Sequence, residues 1–435
     1  MFKGEIQMKI NKLMPLAFAT LMAAGGLAGC GGESDAIIVW ATAAEEQVVN
    51  AVLEDYNKSA AAEDKISVKY VAVAEGDTGT EVAKDPSAKS APELFLVADD
   101  HIYNLQSKNI IVDLTSAYGK TIKDNNTAVS VTGASYNGKV YGFPVTNDNG
   151  YFLWYNKDKV TEQQAGKLES LLEAAKTANG KVLLDIANGW YAPTFFFSPD
   201  ICGTESLKFK ENADGDVVYD ITWDTDKAAE AFTAVNGLID EAKGTYKNNF
   251  TTGGNDAIVA GFKDGSVVAA VSGTWMQGDL ETAIGADKLA ATKLPTLKVG
   301  TKDCQMGTFT GSKVFCVNAA KTGDKAADKR VKAAKLADLL TQKAAQLTRF
   351  EKRGTVPCNK EALKDEAYTK NVSIGAKALQ AQCEAAAAIQ STSAEGRYWD
   401  VGKAIGQAML DGKLGTYADA KAFLKGECDI LRKAA

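Results

Sequence analysis

The sequence contains a single histidine, His101, in 435 residues. Its seven cysteines form no Cys-x-x-Cys pair, so the spacing that usually holds structural zinc is missing. The chain also lacks the Gly-x-Ser-x-Gly, His-Glu-x-x-His and Walker motifs of common hydrolases and nucleotide-binding enzymes. These absences argue against a metal site, a cofactor and a familiar catalytic centre.

Charge and hydropathy exclude two further classes. Lysine and arginine number 49 against 55 aspartates and glutamates, which gives a net charge of −6. A nucleic-acid-binding surface needs a basic stripe with interleaved aromatics, and none is present, so nucleic acid is excluded as a partner. Beyond residue 30, no apolar run reaches the length that a membrane-spanning helix requires.

The first thirty residues have the pattern of an export signal. Lys3, Lys9 and Lys12 precede an apolar run over residues 13–27. That run is too short and too rich in alanine and glycine for a stable transmembrane helix. It ends in Leu-Ala-Gly-Cys at Cys30, which resembles the lipobox of bacterial lipoproteins.

The lipobox resemblance implies that residues 1–29 are removed and that Cys30 carries a lipid. Residues 30–35 would then be a short flexible tether. We expect the protein on the outer face of the cytoplasmic membrane, or on the periplasmic side, held by the lipid alone. A plain secretory signal is the alternative, and translation could start at Met1 or Met8.

The remaining six cysteines are an even number, which in an exported chain could form disulfides. Cys304 and Cys316 bracket a predicted hairpin and could pair. Free buried thiols are the alternative, because a chain of this length can bury a large core without cross-links. The other four are Cys202, Cys358, Cys383 and Cys428.

Periodicity near the start of the mature chain predicts an α/β fold. Apolar runs at 37–40, 66–73 and 93–98 predict strands, and helical spacing at 45–58 predicts a helix. This order favours a parallel sheet, which binds ligands beyond the carboxyl ends of its strands. The loops after the first and third strands are therefore the first candidate ligand loops.

Further elements are predicted along the rest of the chain. Strands are predicted over 139–145, 150–155, 181–187, 267–271 and 314–318. Helices are predicted over 162–178, 226–242, 255–263, 325–352, 360–369, 374–390 and 397–412. Residues 212–216, Asn-Ala-Asp-Gly-Asp, superficially suggest a calcium loop, but the downstream bidentate glutamate is missing, so we predict a hairpin turn.

Four segments, in order, resemble the extracellular solute-binding proteins of ABC sugar importers, and within them the maltose-binding group. They are IIVWATAAEEQVVNAVLEDYNK, NGKVYGFPVTNDNGYFLWYNKDKV, AGFKDGSVVAAVSGTWMQGDL and ADLLTQKAAQLTRFEKRGTVPCNKEAL. The resemblance implies a two-lobed α/β fold of the type II periplasmic-binding-protein kind, with a hinged cleft. It assigns residues 36–146 and 306–371 to the N-terminal lobe, and residues 147–305 and 372–435 to the C-terminal lobe.

The resemblance also implies a function. A carbohydrate, expected to be a malto-oligosaccharide or a similar oligosaccharide, binds in the cleft, and the lobes close over it. An ABC permease in the membrane then receives the solute. We expect a monomer without cofactor or metal, and the lipid would keep it close to the permease.

Aromatic candidates for sugar stacking come from three places, because a saccharide offers an apolar face to a flat ring. Trp275 follows a predicted strand and matches a stacking residue of the family; a core tryptophan is the alternative. Trp190 and Tyr191 match the aromatic position of the family's second lobe; packing within the loop is the alternative. Of Tyr398 and Trp399, we expect Trp399 to face the cleft and Tyr398 to be core.

Polar candidates follow the first and third predicted strands and the lobe crossing. Asp100 best matches the acid that accepts sugar hydroxyls in the family, and His101 falls where the family usually has arginine. Glu45 is a further candidate, although an acid also suits a helix N-terminus without any ligand. Asn149 lies near an acidic ligand position of the family, and turn chemistry explains it equally well.

Three rival functions remain. A glycoside hydrolase needs a pair of carboxylates, but adjacent acids such as Asp99 and Asp100 are not expected to face one cleft from a strand end. A polyamine binder would use acids and aromatics, while an organic-anion binder would need one of Arg349, Arg353 and Arg397. A surface adhesin would present a flat patch in place of a closing cleft.

Overall fold

The computed structural model describes residues 35–74, 76–212, 216–241, 249–251, 253–390, 397–412, 414 and 416–433. Cys30 and the leader lie outside the described residues, as do residues 213–215 of the predicted turn. Residues 36–435 belong to one compact unit. Within the described ranges, every helix falls short of the length and apolar character that a bilayer crossing needs.

The strands are β1 Ile37–Ala41, β2 Val68–Ala72, β3 Leu94–Ala98, β4 Ser135–Tyr136, β5 Lys139–Val140, β6 Phe143–Thr146, β7 Phe152–Asn156, β8 Lys181–Leu183, β9 Leu207–Glu211, β10 Val217–Ile221, β11 Val267–Ser272, β12 Leu289–Thr292, β13 Thr296–Val299, β14 Lys302–Gln305, β15 Thr308–Thr310, β16 Lys313–Val317 and β17 Ala387–Ile389.

The helices are α1 Glu46–Ser59, α2 Thr78–Lys84, α3 Ile102–Ser107, α4 Gly119–Asn125, α5 Ala128–Gly133, α6 Glu162–Ala165, α7 Leu168–Thr177, α8 Asp226–Glu241, α9 Asn255–Asp264, α10 Gln277–Ile284, α11 Ala326–Thr341, α12 Lys343–Arg353, α13 Glu366–Thr369, α14 Ile374–Ala385, α15 Arg397–Asp411 and α16 Tyr417–Arg432.

The first sheet has five strands in the order β2-β1-β3-β16-β6. β1 pairs in parallel with β2 and β3, as the sequence predicts, whereas β16 runs antiparallel to β3 and β6. Alternate residues of β3 enter different cores: Leu94 and Leu96 pack on one face, and Phe95 and Val97 on the other. A strand covered on both faces must be apolar throughout, which explains the unbroken run. We call this sheet with α1–α5, β4, β5, α11 and α12 the first-sheet region.

The second sheet has four strands in the order β12-β7-β11-β8. Leu153 and Tyr155 of β7 pack in one core, and Phe152 and Trp154 in another. The β9–β10 hairpin adds to the first of these cores through Leu207. We call this sheet, with β9, β10, β13–β15, β17, α6–α10 and α14–α16, the second-sheet region.

The chain passes between the two regions more than once. Residues 147–151 connect β6 of the first sheet to β7 of the second. Residues 306–312 lead back, and on the way β15 pairs in parallel with β17. Met306 and Phe309 still pack in the core of the second-sheet region, and the first sheet resumes at Lys313. The proposed lobe boundary at residue 306 stays a prediction.

Several predicted helices differ from the observed ones. The single helix predicted over 325–352 is two helices, because Gln342 adopts an extended backbone conformation between them. The helix predicted over 374–390 ends at Ala385 and is followed by β17. Only Glu366–Thr369 of the 360–369 helix is helical, and α16 was not predicted at all. The predicted hairpin around residues 212–216 is confirmed by the antiparallel pairing of β9 and β10.

Of the two alternatives for Cys304 and Cys316, the structure has free thiols and no disulfide. Cys304 lies on β14, which pairs with β13, whereas Cys316 lies on β16 opposite Phe95 in the first sheet. The two thiols are buried in different cores, so no hairpin brings them together. All six cysteines of the described residues are free thiols.

Candidate functional site

A cavity of about 290 Å³ lies between the first-sheet and second-sheet regions. One wall comes from the turn after β3, the start of α3 and residues 132–137; the other comes from β9 and the end of β17. The lining residues are Asp99, Asp100, Ile102, Tyr103, Thr132, Gly133, Ser135, Tyr136, Asn137, Phe209, Ile389 and Gln390. The cavity therefore lies at the carboxyl end of a parallel strand, where an α/β sheet is expected to bind its ligand.

Asp99 and Asp100 follow β3 in one 3₁₀ turn, and both line the cavity. The expectation that adjacent acids cannot face one cleft is wrong, because successive side chains in such a turn are about 120° apart. The Asp99 carboxylate accepts the backbone N–H of Ser312 at 2.7 Å. Burial, and secondarily the charge of Asp100, raises the pKa of Asp99 well above its ordinary value.

Asp100 is connected to the lobe crossing through Gln390. The Gln390 side chain hydrogen-bonds to Asp100, and its oxygen accepts from Nδ2 of Asn149 at 2.9 Å. Burial raises the pKa of Asp100, while the charge of His101 and the bond to Gln390 oppose that rise. Gln390 was not predicted as a site residue, because its segment was predicted to be helical.

Each of the two acids has one carboxylate oxygen that could accept a further hydrogen bond. Oδ1 of Asp99 and Oδ1 of Asp100 are buried and accept no hydrogen bond from the described residues. Buried carboxylate oxygens in folded proteins normally have a partner. Hydroxyl groups of a ligand in the cavity could supply that partner.

His101 takes a different position from its two acidic neighbours. Its imidazole packs against Gly79 of α2, where any added Cβ would overlap the ring. It is not among the residues that line the cavity. The structure therefore gives His101 a packing contact and an electrostatic effect on Asp100.

The ligand role considered for Glu45 needs correction, because its side chain is fully buried and neutralised. Its Oε1 accepts from Nε of Arg349 at 2.8 Å, and its Oε2 accepts from Arg353. Arg349 is itself fully buried. Glu45 thus forms an internal ion pair that ties the N-terminus of α1 to α12.

Aromatic side chains of the second-sheet region form a continuous cluster. Trp190 stacks on Phe309 with ring centroids 5.1 Å apart, and it contacts Tyr151 at 5.7 Å and Trp399 at 6.5 Å. Tyr191 joins the cluster through Tyr151 at 5.0 Å. Trp190, Tyr191 and Trp399 are all half-buried. Three of the predicted aromatic candidates therefore lie in one cluster, next to β15 and β17.

Tyr398 was a candidate ligand residue, and the structure corrects that prediction. It is fully buried, and its hydroxyl donates to the carbonyl of Gly189 at 2.9 Å. Trp399, its neighbour, keeps part of its ring exposed. The burial of Tyr398 matches the expectation that one of the two residues belongs to the core.

Trp275 is the most exposed of the aromatic candidates, at 40%. It follows β11 in a short 3₁₀ turn, and its ring lies over Gly273, where any Cβ would overlap the indole. The carbonyl of Gly273 accepts from Nε1 of Trp154 at 3.0 Å, which fixes the turn. Glycine at 273 is thus what allows the indole to lie flat on the backbone.

Three cavity aromatics were missed by sequence analysis: Tyr103, Tyr136 and Phe209. They lie in segments without a motif, and only the contact between the two regions brings them together. In the described part of the chain, no group of three or more His, Cys, Asp or Glu side chains could hold a metal ion.

Comparisons with known proteins agree with this geometry. The sequence profile described as bacterial extracellular solute-binding protein matches residues 51–376. A structure solved with acarbose is 25% identical, with a TM-score of 0.75, and covers 92% of this chain and 99% of that one. Maltodextrin-binding protein MalE1 from L. casei BL23, without ligand, is 21% identical, with a TM-score of 0.74, covering 93% and 100%.

The MalE domain of Bdellovibrio bacteriovorus, bound to maltotriose, is 20% identical with a TM-score of 0.68, covering 91% of this chain and 98% of that one. A comparison with curated protein sequences found no significant match. The structural neighbours are two-lobed α/β binding proteins, which confirms the predicted fold class and the resemblance to the maltose-binding group. The chain belongs to the bacterial extracellular solute-binding protein family, and it is a solute-binding protein of the ABC importer type.

Proposed function

We propose that this protein binds a carbohydrate, a malto-oligosaccharide or a similar oligosaccharide, in the cleft between its two regions and delivers it to an ABC permease. The observation that carries the proposal is that Asp99 and Asp100 line the cavity and that each has a buried oxygen that accepts no hydrogen bond from the part of the chain that the structure describes. Sugar hydroxyls donate to such oxygens, and the aromatic rings of Tyr103, Tyr136 and Phe209 in the cavity wall suit the apolar face of a pyranose ring.

All five arginines of the chain have partners within the protein, which weighs against an organic-anion ligand. Arg330 donates to the carbonyls of Ala319 and Lys321, and Arg432 donates to Asp224. Arg349 and Arg353 are both bonded to Glu45. Arg397 donates to the carbonyls of Ile430 and Lys433. A polyamine would also suit acids and aromatics, so it stays a rival that experiment must decide.

A thermal-shift screen of the purified protein tests the proposal, because a ligand that binds only the folded state raises Tm. We expect maltose, maltotriose and longer malto-oligosaccharides to raise Tm, and spermidine, putrescine and citrate to leave it unchanged. A shift with a polyamine and none with any saccharide would replace the proposal with its rival. Incubation with the same saccharides should release no shorter sugar; release would indicate a glycoside hydrolase.

We further propose that the mature chain begins at a lipidated Cys30 and remains at the outer face of the cytoplasmic membrane. The lipobox sequence supports this proposal, and Cys30 lies outside the described residues. Expression with radiolabelled palmitate should label the wild-type protein and not the C30A variant. An unlabelled wild-type protein in the culture medium would favour a plain secretory signal.

A further inference from the structure

Three aromatic rings meet across the cleft at the wall of the cavity. The centroid of Phe209 lies 4.7 Å from that of Tyr103 and 6.1 Å from that of Tyr136, and the two tyrosines are 5.0 Å apart. All three contacts have steep interplanar angles, between 60° and 68°. Edge-to-face packing of this kind is favourable beyond the area that it buries.

The partners in this contact belong to different regions. Tyr136 packs against the first-sheet core that contains Phe95 and Val97, and Tyr103 lies on α3 directly after that sheet. Phe209 lies on β9 and contacts Tyr219, which is buried in the second-sheet core. The Phe209 contact therefore bridges the cleft and is separate from the cluster around Trp190.

We propose that Phe209 is a specificity-determining residue. By packing against Tyr103 and Tyr136 it closes one end of the cleft, so that the site takes a short saccharide, or the terminal unit of a longer one, and not an internal segment. This inference rests on the proposed carbohydrate ligand. We call the three rings the aromatic clasp.

The small volume of the cavity agrees with a short ligand. The cavity of about 290 Å³ is bounded by the clasp and by the acid pair at Asp99 and Asp100. Ligand pockets commonly span about 300–1,000 Å³, so this one is at the small end of the range. A saccharide that continued past Phe209 would have to separate the rings and expose them to water, which costs free energy.

Calorimetric titration of the full-length protein with maltose, maltotriose and maltoheptaose tests the inference, using Phe209→Ala and Phe423→Ala. Phe423 is a matched control, because it is also half-buried and contacts one ring, Phe232, on α8 within the second-sheet region. We expect the wild type to bind the tighter of maltose and maltotriose with a Kd about tenfold or more below its Kd for maltoheptaose. F209A should reduce that preference to about threefold or less, and F423A should retain it.

A second readout needs no ligand. In hydrogen exchange of the ligand-free protein, F209A should accelerate exchange in residues 102–107 and 132–137, on the opposite side of the cleft, and F423A should not. Unchanged exchange in F209A would contradict the claim that Phe209 holds the opposite side of the cleft, whatever the ligand is. An unchanged length preference in F209A would overturn its role in specificity.

The two failures are distinguishable. If the wild type binds no saccharide at all, the proposed function is wrong, and the exchange experiment alone then decides the clasp. If the wild type binds saccharides of all lengths equally and F209A changes nothing, the proposed function stands and the inference about Phe209 is wrong.

Discussion

The two faces of the cleft differ in chemistry. The first-sheet region contributes the acids Asp99 and Asp100 at the end of β3, whereas the second-sheet region contributes Phe209, Ile389 and Gln390. The acids of the cavity wall belong to the first-sheet face, whereas aromatic rings line the cavity from both faces. A ligand that needs both kinds of contact binds best when the two regions approach each other, so its binding favours the closed arrangement.

A second contrast lies within the first-sheet region. Glu45 follows β1 and Asp100 follows β3, so both acids lie at the carboxyl end of a parallel strand. Glu45 is neutralised by Arg349 and Arg353, whereas Asp100 has no lysine or arginine ion-pair partner among the described residues. Position at a strand end thus does not identify a ligand acid by itself, and the lack of a paired cation is what supports the role proposed for Asp100.

The largest effect should come from breaking the ion pair at Glu45. Arg349→Met leaves a buried carboxylate with one partner fewer, and we expect the free energy of unfolding to fall by about 3–5 kcal/mol. Urea denaturation measures this loss. Lys364→Met is the control, since its pair with Glu361 is exposed and should contribute about 1 kcal/mol or less. A loss for R349M no larger than for K364M would contradict the structural role of Glu45.

Asp100→Asn tests the contrasting acid. We expect it to weaken saccharide binding by about 10- to 100-fold, because a hydrogen bond to a charged group contributes about 1.5–3 kcal/mol. Calorimetric titration measures the affinity, and Tm of the ligand-free protein should not fall. Asp264→Asn, at the exposed end of α9, should bind like the wild type. If D100N also bound like the wild type, the polar face of the site would be misassigned.

Trp275→Ala tests the aromatic face. Since Trp275 is 40% exposed, its loss should leave the fold intact while weakening saccharide binding by about tenfold. Trp190→Ala should weaken binding and also lower Tm, because Trp190 packs on Phe309. Unchanged affinity in W275A, measured by the same titration, would remove Trp275 from the site.

The raised pKa of Asp99 predicts a pH dependence of stability. The folded chain holds this proton to a higher pH than the unfolded chain does, so stability falls as pH rises from the ordinary aspartate pKa to the raised one. The loss is about 1.4 kcal/mol for each unit of the shift. Urea unfolding over a pH series should show this loss in the wild type and not in Asp99→Asn. If the free energy of unfolding changed with pH in the same way in both proteins, this prediction would be contradicted.

The smallest effect is expected from reduction of the protein. Cys304 and Cys316 lie in the cores of different regions, and all six described thiols are free. Burial raises the pKa of Cys202 to about 11 and that of Cys428 to about 12, which keeps these thiols unreactive. Tm with and without dithiothreitol should therefore agree. A fall in Tm on reduction would show that a disulfide exists.

Local patterns predicted much of the fold. The strands β1, β3, β11 and β16 and the helix α1 are visible as apolar runs or helical spacing, because each is covered by a core on a fixed face. The strand β17 was missed, since it forms by pairing with β15, which is distant in sequence. The break between α11 and α12 at Gln342 was missed as well. Lysine- and alanine-rich segments fit a helix equally well throughout, so the pattern alone could not locate the breaks.

The site was less predictable than the fold. Asp100 was identified through a family likeness, and the structure brings it into the cavity. Gln390, Tyr103 and Phe209 carry no motif, and only the approach of the two regions makes them neighbours. Glu45 fits a ligand loop by sequence, yet its arginine partners lie about 300 residues away, at Arg349 and Arg353.

Hydrogen exchange of the full-length protein, measured with and without saturating maltotriose, tests the central claim most directly. We predict simultaneous protection on both faces of the cleft: residues 99–103 and 132–137 of the first-sheet region, and residues 188–191 and 387–390 of the second. The segment 360–365, which is not part of the cavity wall, should exchange at the same rate in both samples. Protection of one face only, or no protection with any saccharide tested, would contradict carbohydrate binding between the two regions.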